Sequence, residues 1–527
     1  MGDENEIKSA PLTPRTPNTT TQTPPISAPP SQYHSPSLSR SPLLATGDHA
    51  QLPENNGTPA KTSRPRTPRL STPLASPLRK AIKMTRLDPH DAWLPITQSR
   101  NGNAYYAAFH TLCSGIGTQA LVLPVAFTIL GWTWGIICLA VAFVWQLYTL
   151  YLLVQLHEST EEGVRYSRYL TLCAAAFGEK MTKLVALFPI MYLSAATCVT
   201  LIVIGGSTLK ILVQIVCGET CTAKPPLTIV EWYLVFTCTA VVLSQLPNLN
   251  SIAGVSLIGA TAAVGYCTLI WAVSVADGRL PDVSYKPVRQ GSEISRVFGV
   301  LNALGIIAFA FRGHNLILEI QGTMPSSEKH PSRVPMWKGV KFAYLLIALC
   351  LFPLAIGGYW AYGHKIPENG GMLSALYMFH SHNASRFILG LTSILVVISA
   401  VSSFQIYGMP VFDDMESKYT MRKKQPCPRW LRSVFRAVFG FMCFFMAVAV
   451  PFLSSFAGLI GGISLPVTLA YPCFMWVMIR KPKVYGVMWW LNWGLGVLGV
   501  GLSGSLTAAS LYVVIDDGVQ FSFFNPH

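Results

Sequence analysis

Charged residues are scarce in this 527-residue chain, since Asp, Glu, Lys and Arg together make up only 12% of it. Soluble domains carry about a quarter charged residues. Hydrophobic residues make up 51% of the chain and the mean hydropathy is +0.41, although the first hundred residues are polar. Runs of roughly 20 apolar residues are long enough to cross a bilayer as helices. The scarcity of charge therefore excludes an ordinary soluble domain and predicts an integral membrane protein embedded in a lipid bilayer.

The motifs of common enzyme and nucleotide-binding classes are also absent from the sequence. It contains no His-Glu-x-x-His zinc motif, no Gly-x-Ser-x-Gly nucleophile motif and no Gly-x-x-x-x-Gly-Lys phosphate loop. We therefore expect no enzyme activity, no ATP-driven pump, no metal site and no cofactor. The formal charge is +15, but no nucleic-acid-binding motif accompanies it, so nucleic acid is not an expected partner.

Most of the twelve cysteines lie in apolar segments, where free thiols behave as small hydrophobic side chains. Cys217 and Cys221 differ because they lie in a polar loop. A metal pair is not expected there, because no second Cys/His pair is nearby. A local disulfide between them would require the loop to face an oxidising compartment.

Residues 1–100 form a separate region that is rich in Pro, Ser and Thr and poor in apolar side chains. Such a composition predicts a disordered cytoplasmic tail, followed by a transmembrane domain over residues 101–527. The tail contains nine Ser/Thr-Pro dipeptides, and Thr67, Thr72 and Ser76 are candidate phosphorylation sites for a proline-directed kinase. The alternative is a disordered spacer with no regulatory role.

Eleven apolar segments follow the tail and predict an all-α polytopic membrane protein with about eleven transmembrane helices. The separation of the ninth segment from the tenth rests only on the short break from Pro451 to Ser455. The segments are 104–130, 132–156, 184–208, 227–246, 252–275, 297–322, 340–362, 386–409, 433–452, 454–479 and 486–515.

The placement of Lys and Arg predicts the orientation in the membrane, because cytoplasmic loops carry the positive excess. With a cytoplasmic N-terminus, the inner segments hold 30 Lys and Arg residues and the outer segments hold 8. An odd number of spans then places the C-terminus outside. The sequon Asn383-Ala-Ser385 falls in an outer loop under this orientation, so Asn383 is a candidate glycosylation site.

Two of the eleven spans contain polar and helix-breaking residues near their centres. The first carries Gly115 and Gly117 within the run Ser114–Gln119, followed by Pro124, and the sixth carries Arg312-Gly313-His314. Broken backbone inside a membrane is tolerated only where protein or a water-filled cavity satisfies it. The two broken spans lie five spans apart, and an odd number of spans inverts the second repeat relative to the first. This pattern indicates a transport site and favours alternating access over an open pore.

The chemistry of the two breaks fits a zwitterionic amino acid. A half-helix N-terminus exposes free N–H groups and a positive dipole end, which suits a substrate carboxylate. Unpaired carbonyls at the same breaks can hold an ammonium group or a cation. The candidate substrate-binding residues are Ser114, Gly115, Ile116, Gly117, Thr118, Gln119, Phe309, Arg312, Gly313, Ser402 and Gln405.

The sixth span contains three ionisable residues, Arg312, His314 and Glu319. Such residues are energetically costly inside a membrane, so each is expected to have a function or a partner. Arg312 and Glu319 are seven residues apart, so an unbroken helix would place them on one face, where a purely structural ion pair is the rival interpretation. His314 and Glu319 are candidates to carry a coupling proton, and the sequence does not choose between them.

Motifs throughout residues 93–525 resemble plant lysine/histidine transporter-like proteins of the amino acid/auxin permease family. The resembling motifs include Ala107-Ala-Phe-His110, Leu130-Gly-Trp132, Ala176-Phe-Gly-Glu-Lys180, Gly313-His-Asn315 with Leu318-Glu-Ile-Gln321, Pro335-Met-Trp-Lys-Gly339, Met409-Pro-Val-Phe412 and Lys481-Pro-Lys483. The resemblance implies a LeuT-type fold with inverted five-helix repeats. It also implies a symporter that imports amino acids with protons as the coupling ion, commonly at the plasma membrane.

The sequence departs from the family pattern at both breaks. Gly117-Thr118-Gln119 stands where the family often has Gly-Ala-Gly, and Arg312 stands where a small residue is common. A fixed cation in the pocket would favour acidic substrates and repel Lys or His. A non-transporting amino-acid sensor on the same fold is the alternative function, which the long tail could serve.

Overall fold

The computed structural model describes residues 100–158, 164–218, 226–246, 252–287, 292–368, 370–381, 383–449 and 453–516. All of them belong to one compact unit, Ser71–His527. The predicted tail, except for Arg100, and the candidate phosphorylation sites Thr67, Thr72 and Ser76 lie outside the described residues.

Helices account for nearly all of the described structure, and within these ranges the only β pairing is an isolated antiparallel bridge between Glu158 and Arg165. We number the helices in chain order. They are α1 (Ala104–Gly115), α2 (Thr118–Leu156), α3 (Tyr169–Phe177), α4 (Glu179–Cys217), α5 (Ile229–Leu243), α6 (Ala253–Ala276), α7 (Glu293–Ala310), α8 (His314–Gly322), α9 (Arg333–Tyr362), α10 (Gly371–His380), α11 (Arg386–Lys423), α12 (Arg429–Ala449), α13 (Leu453–Leu465), α14 (Tyr471–Arg480) and α15 (Val487–Asp516).

Nine helical stretches in the described ranges are long and apolar enough to cross a membrane, and α5 is a shorter apolar helix. One of the nine, α2, joins two spans, because Gly131 interrupts it with a φ of 72° and a ψ of −176°. Counting both halves of α2 and adding α5 gives the eleven spans predicted from the sequence. The predicted break between the ninth and tenth spans, from Pro451 to Ser455, lies partly outside the described residues, which stop at Ala449 and resume at Leu453.

Several helices extend beyond the apolar segments that predicted them. The third span begins at Glu179 instead of 184 and ends at Cys217 instead of 208. The eighth, α11, continues to Lys423, well past the predicted end at 409. Hydropathy marks only the part of a helix that lies in lipid, whereas a helix continues into water wherever its polar residues find partners. In α11 the carboxylates of Asp413 and Glu416 form ion pairs with arginines of other segments.

Local sequence explains where several helices begin. The side chain of Asn103 accepts a hydrogen bond from the N–H of Tyr106 and caps α1, and Ser292 caps α7 in the same way. At α5, Thr228 and Glu231 form a reciprocal capping box. These side chains satisfy backbone donors that have no partner within the helix.

Close packing around the two broken spans depends on small residues. Helix α7 lies against α13, and a Cβ atom added at Gly305 would come within 2.7 Å of the carbonyl oxygen of Gly458. Helix α1 packs between α9 and α6, while α4 packs along α11. These contacts enclose both breaks in protein, as buried backbone requires.

Candidate functional site

The first break separates α1 from α2 at Ile116 and Gly117, both of which have extended backbone. The last four carbonyls of a helix have no partner inside it. Here each of the four, from Leu112 to Gly115, accepts a hydrogen bond from another group. Leu112 accepts from the N–H of Ile116 (3.0 Å), Cys113 from the Ser403 hydroxyl (2.8 Å), Ser114 from the Tyr407 hydroxyl (2.8 Å) and Gly115 from Gln119 Nε2 (2.7 Å). Hydrogen bonds from α11 and from the first turn of α2 therefore stabilise the broken end of α1.

The second break separates α7 from α8 at residues 311–313. Gly313 has a φ of 118° and a ψ of 0°, a conformation that L side chains rarely adopt, and α8 starts at His314. A glycine is therefore needed to turn the chain here. The turn leaves Arg312 between two half-helices instead of within one.

The structure brings the two breaks together. A Cβ atom added at Gly117 would lie 2.9 Å from Arg312 Nη2 and 3.0 Å from Gln119 Oε1. A Cβ atom added at Gly313 would lie 3.2 Å from Ser114 Oγ. On the other side, the hydroxyl of Tyr266 donates to the carbonyl of Gly117 at 3.0 Å. These predicted residues, which come from two distant parts of the chain, therefore share one small volume.

Arg312 is the central charged group of this volume and is only 3% exposed. Its Nε donates to the Tyr407 hydroxyl at 2.9 Å, and its guanidinium lies 4.4 Å from the ring centre of Phe309 and 4.8 Å from that of Tyr407. In the part of the chain that the structure describes, neither terminal nitrogen of Arg312 has a hydrogen-bond partner. The site thus presents a buried cation whose two outer donors are unused.

Arg312 and Glu319 do not lie on one face of a continuous helix, as an unbroken sixth span would have required, because the helix is broken at residues 311–313. Within the described ranges no ion pair joins the two residues. Glu319 instead lines a cavity together with Asp413 and Arg168, whose charges act on its carboxylate. The structural ion pair that the sequence left open is therefore absent.

The two candidate proton carriers have different surroundings. His314 is fully buried, and its Nε2 lies 3.1 Å from Thr149 Oγ1 and 3.0 Å from the carbonyl oxygen of Gln146. Glu319 is 4% exposed and lines a cavity of about 500 Å³, which His314 does not line.

The two remaining predicted residues, Ser402 and Gln405 of α11, contact other helices and do not reach the first break. The hydroxyl of Ser402 donates to the carbonyl of Ile398, and the side chain packs against Gly259 of α6. Gln405 donates to the carbonyl of Ala240 on α5 at 3.0 Å. Ser403 and Tyr407, on the same helix, are the residues that reach the first break. The sequence spacing shows that Ser403 and Tyr407 lie on a different face of α11 from Ser402 and Gln405. It does not show which of the two faces contacts the first break. The side chain of Thr118 is outside the described structure.

The loops supply two further observations. Cys217 is disulfide-bonded, while the ten other described cysteines are free. Cys221, its predicted partner, lies outside the described residues. Asn383 is exposed in the connection between α10 and α11, where a glycan can be accommodated.

Comparison with known proteins gives concordant results. The family described as "Transmembrane amino acid transporter protein" matches residues 100–515. Lysine histidine transporter-like 8 of Arabidopsis thaliana is 53% identical over 534 aligned residues, which cover 99% of each chain. Lysine histidine transporter-like 7 of the same plant is 45% identical, covering 83% of this chain and 90% of its own. These relatives confirm the resemblance inferred from the motifs.

Solved structures agree on the fold. Mhp1, described as a nucleobase-cation-symport-1 family transporter, was solved in a closed conformation with bromovinylhydantoin bound. It covers 83% of this chain and 97% of its own, with a TM-score of 0.52 and 12% identity. Its inward-facing conformation gives the same TM-score with 96% of that chain covered. The predicted all-α fold of the LeuT type is thereby confirmed, and the relatives are transporters, not enzymes. With its family and its fold established in this way, the chain belongs to the transmembrane amino acid transporter family, the amino acid/auxin permeases.

Proposed function

We propose that this protein is a proton-coupled symporter that imports amino acids, including acidic ones, and that Arg312 binds a carboxylate of the substrate. The observation that carries this proposal is the buried guanidinium with two unused nitrogens beside Gly117. An unpaired charge in a membrane interior is costly, and a bound anion offsets that cost. Arginine also offers the fork of donors that matches a carboxylate.

The same volume contains the start of α2. The N-terminus of a helix carries a partial positive charge and attracts an anion. Gly117 precedes α2 directly and lies against Arg312, so two positive groups converge on one point. An α-carboxylate or a side-chain carboxylate is stabilised there, whereas a lysine side chain is repelled.

We infer that protons are the coupling ion, and the carbonyls of the first break support this choice over a metal cation. A metal cation in a broken helix is held by unpaired carbonyls. The last four carbonyls of α1 already accept hydrogen bonds from protein groups. Among the described residues, no group of three or more His, Cys, Asp or Glu side chains could hold a metal ion. Each proton that enters down an inside-negative potential of 100 mV supplies about 2.3 kcal/mol.

We place the protein in the plasma membrane, with its N-terminus in the cytoplasm and its C-terminus outside. The orientation rests on the distribution of Lys and Arg among the loops, and the plasma membrane is the location that the family resemblance implies. Thr67, Thr72 and Ser76 of the tail would then be accessible to a proline-directed kinase.

The test is uptake of a radiolabelled amino-acid panel into transporter-deficient cells at external pH of about 5.5 and 7.5, roughly one unit either side of an unperturbed histidine. We expect accumulation that is stronger at the acid pH and is lost with a protonophore. Glutamate and neutral amino acids should be accumulated in preference to lysine. Absence of flux, from protein shown to be at the cell surface, would contradict transport and favour the amino-acid sensor.

The variant Arg312→Gln tests the carboxylate site. It keeps a donor but removes the charge, so we expect glutamate uptake to fall about tenfold or more, equivalent to at least ~1.4 kcal/mol. Arg296→Gln is a matched control, because Arg296 lies on the same broken span and pairs with Glu293 at its outer end. Unchanged glutamate uptake by Arg312→Gln would exclude Arg312 as the carboxylate ligand.

A further inference from the structure

Three charged side chains from different segments line the cavity of about 500 Å³. Arg168, from the segment before α3, donates from its Nε to Asp413 Oδ2 on α11. Glu319 of α8 lines the same cavity and interacts electrostatically with both. The cluster therefore consists of two carboxylates and one guanidinium.

The charges of this cluster do not balance when both carboxylates are ionised. Asp413 is engaged by Arg168, whereas Glu319 Oε2 has no hydrogen-bond partner among the described residues. Burying a second ionised carboxylate beside the first is unfavourable, and a proton on one of them removes the excess charge. The geometry thus provides a place where one proton is bound.

The surrounding groups do not supply another counter-ion to Glu319. At the cavity mouth Lys418 pairs with Asp414 at 2.6 Å, and Lys183 pairs with Glu179 at 4.0 Å. Arg165 donates to the carbonyl oxygens of Gln321 and Met324 at the end of α8 and pairs with Glu158 at 3.8 Å. Helices α1, α2 and α3 and residues 466–470 also pack against α8, and they contain no Asp, Glu, Lys or Arg. His110 of α1 lies 2.8 Å from the hydroxyl of Ser256 and belongs to a different contact.

The cluster lies between the substrate site and the surface. Glu319 is six residues beyond Gly313, roughly 9 Å along α8. Asn315, only two residues after the break, lines the same cavity. At the other end, the side chains of Glu179 and Lys183 are 83% and 75% exposed. The cavity therefore leads from the neighbourhood of the break to the side of the positively charged loops.

We propose that Glu319 carries the coupling proton and releases it into this cavity, while the Arg168–Asp413 pair stabilises the carboxylate that remains. In this step the O–H bond of the Glu319 carboxyl breaks, the proton passes to water in the cavity, and the negative charge stays on Glu319 beside Arg168. We assign the proton to Glu319 and not to His314 because His314 does not line the cavity through which the proton would leave. The inference rests on the proposed proton symport and names its residues.

The test compares accumulation with exchange for the full-length protein in vesicles. Glu319→Gln mimics the protonated carboxyl permanently, so we expect it to lose proton-driven accumulation and its pH dependence. Exchange of external for preloaded substrate needs no net proton release and should continue at a rate close to wild type. Asp414→Asn is the matched control, since it removes a carboxylate of the same cavity that is paired with Lys418. That control should retain both activities.

A second variant addresses the role of Arg168. Arg168→Gln removes the cation that favours ionised Glu319, so accumulation should persist to a more alkaline pH than in the wild type. Accumulation by Glu319→Gln with the wild-type pH profile would overturn the proposal. Loss of both exchange and accumulation in Glu319→Gln would also overturn it. A pH profile of Arg168→Gln that matches the wild type would do the same. Uptake by the wild-type protein that is unaffected by the protonophore would refute proton symport itself. This result needs no variant, so failure of the proposed symport can be distinguished from failure of the assignment to Glu319.

Discussion

At the scale of single residues, the backbone of Gly313 sets the direction of the second break. Its φ of 118° is rarely adopted by L side chains, and a Cβ atom there would lie 3.2 Å from Ser114 Oγ of the first break. Such conformations cost of order 1–3 kcal/mol in non-glycine residues. We expect Gly313→Ala to reduce maximal uptake by about tenfold at equal surface expression, because the two breaks would shift apart.

Gly299→Ala is the control for this substitution, since Gly299 is on α7, has no positive φ and has nothing within 4 Å of the added Cβ. Uptake assays with surface biotinylation distinguish lost transport from lost protein. Wild-type uptake by Gly313→Ala would show that the break does not depend on glycine.

Residue types predicted the positions of the two helix breaks better than their spacing predicted the partners of those breaks. Gly115 and Gly117 marked the first break, and Arg312 and Gly313 marked the second, because such residues are costly in an ordinary membrane helix. Pro124, which the sequence also suggested as an interruption, lies inside α2. The partners of the breaks on α11 were harder to choose. Ser402 and Ser403 differ by one helical position of about 100°, and only packing against α1 decides which hydroxyl reaches the carbonyl of Cys113.

At the scale of elements, α10 lies over the beginning of α2, with Gly371 packed against the backbone of Leu121 and Val122. Its last residue, His380, is buried, and its Nδ1 lies 3.1 Å from the Tyr362 hydroxyl and 3.6 Å from Asp277 Oδ2. Burial lowers the pKa of His380 below its usual value of about 6.5, and Asp277 offsets only part of that effect. A proton therefore binds His380 less well in this packed arrangement than in water.

The sign of this shift predicts that acid loosens α10. Well above pH 6.5 His380 is neutral whether packed or exposed, and stability does not change with pH. As the pH falls below about 6.5, exposed histidine takes up a proton and the packed arrangement loses stability. We expect hydrogen exchange of α10, corrected for the chemical rate, to be faster at pH 5.5 than at pH 7.5.

His380→Gln should remove this pH dependence while keeping a polar side chain near Tyr362. Equal corrected exchange rates at both pH values in the wild type would contradict the prediction. The sequence did not predict α10, because its ten residues are too few to span a bilayer and hydropathy searches for longer runs.

At the scale of the whole molecule, the number of spans was predictable and their ends were not. Hydropathy identified eleven segments because lipid requires apolar residues over a fixed thickness. It missed the continuation of α11 to Lys423, which depends on Arg168 and Arg432 supplied by distant segments. Long-range ion pairs of this kind leave no local periodic signal.

The orientation of the molecule links several loops. The disulfide-bonded Cys217 and the exposed Asn383 lie on segments that the distribution of Lys and Arg places outside. A disulfide persists in an oxidising compartment, and glycosylation occurs on the same side. The cavity beside Glu319 is lined by segments from the opposite, Arg- and Lys-rich side. An importer with this orientation would take up protons outside and release them through that cavity.

Glycosylation mapping checks the orientation directly. We expect the wild-type protein from a eukaryotic host to show a glycosidase-sensitive gel shift that Asn383→Gln removes. Pro325→Asn, made in the Asn383→Gln background, creates a sequon ending at Ser327 in the exposed loop between α8 and α9, which the orientation places in the cytoplasm. This double variant should remain unglycosylated. Glycosylation at position 325 would show that the molecule has the opposite orientation. The Glu319 cavity would then face the compartment from which a symporter takes its protons.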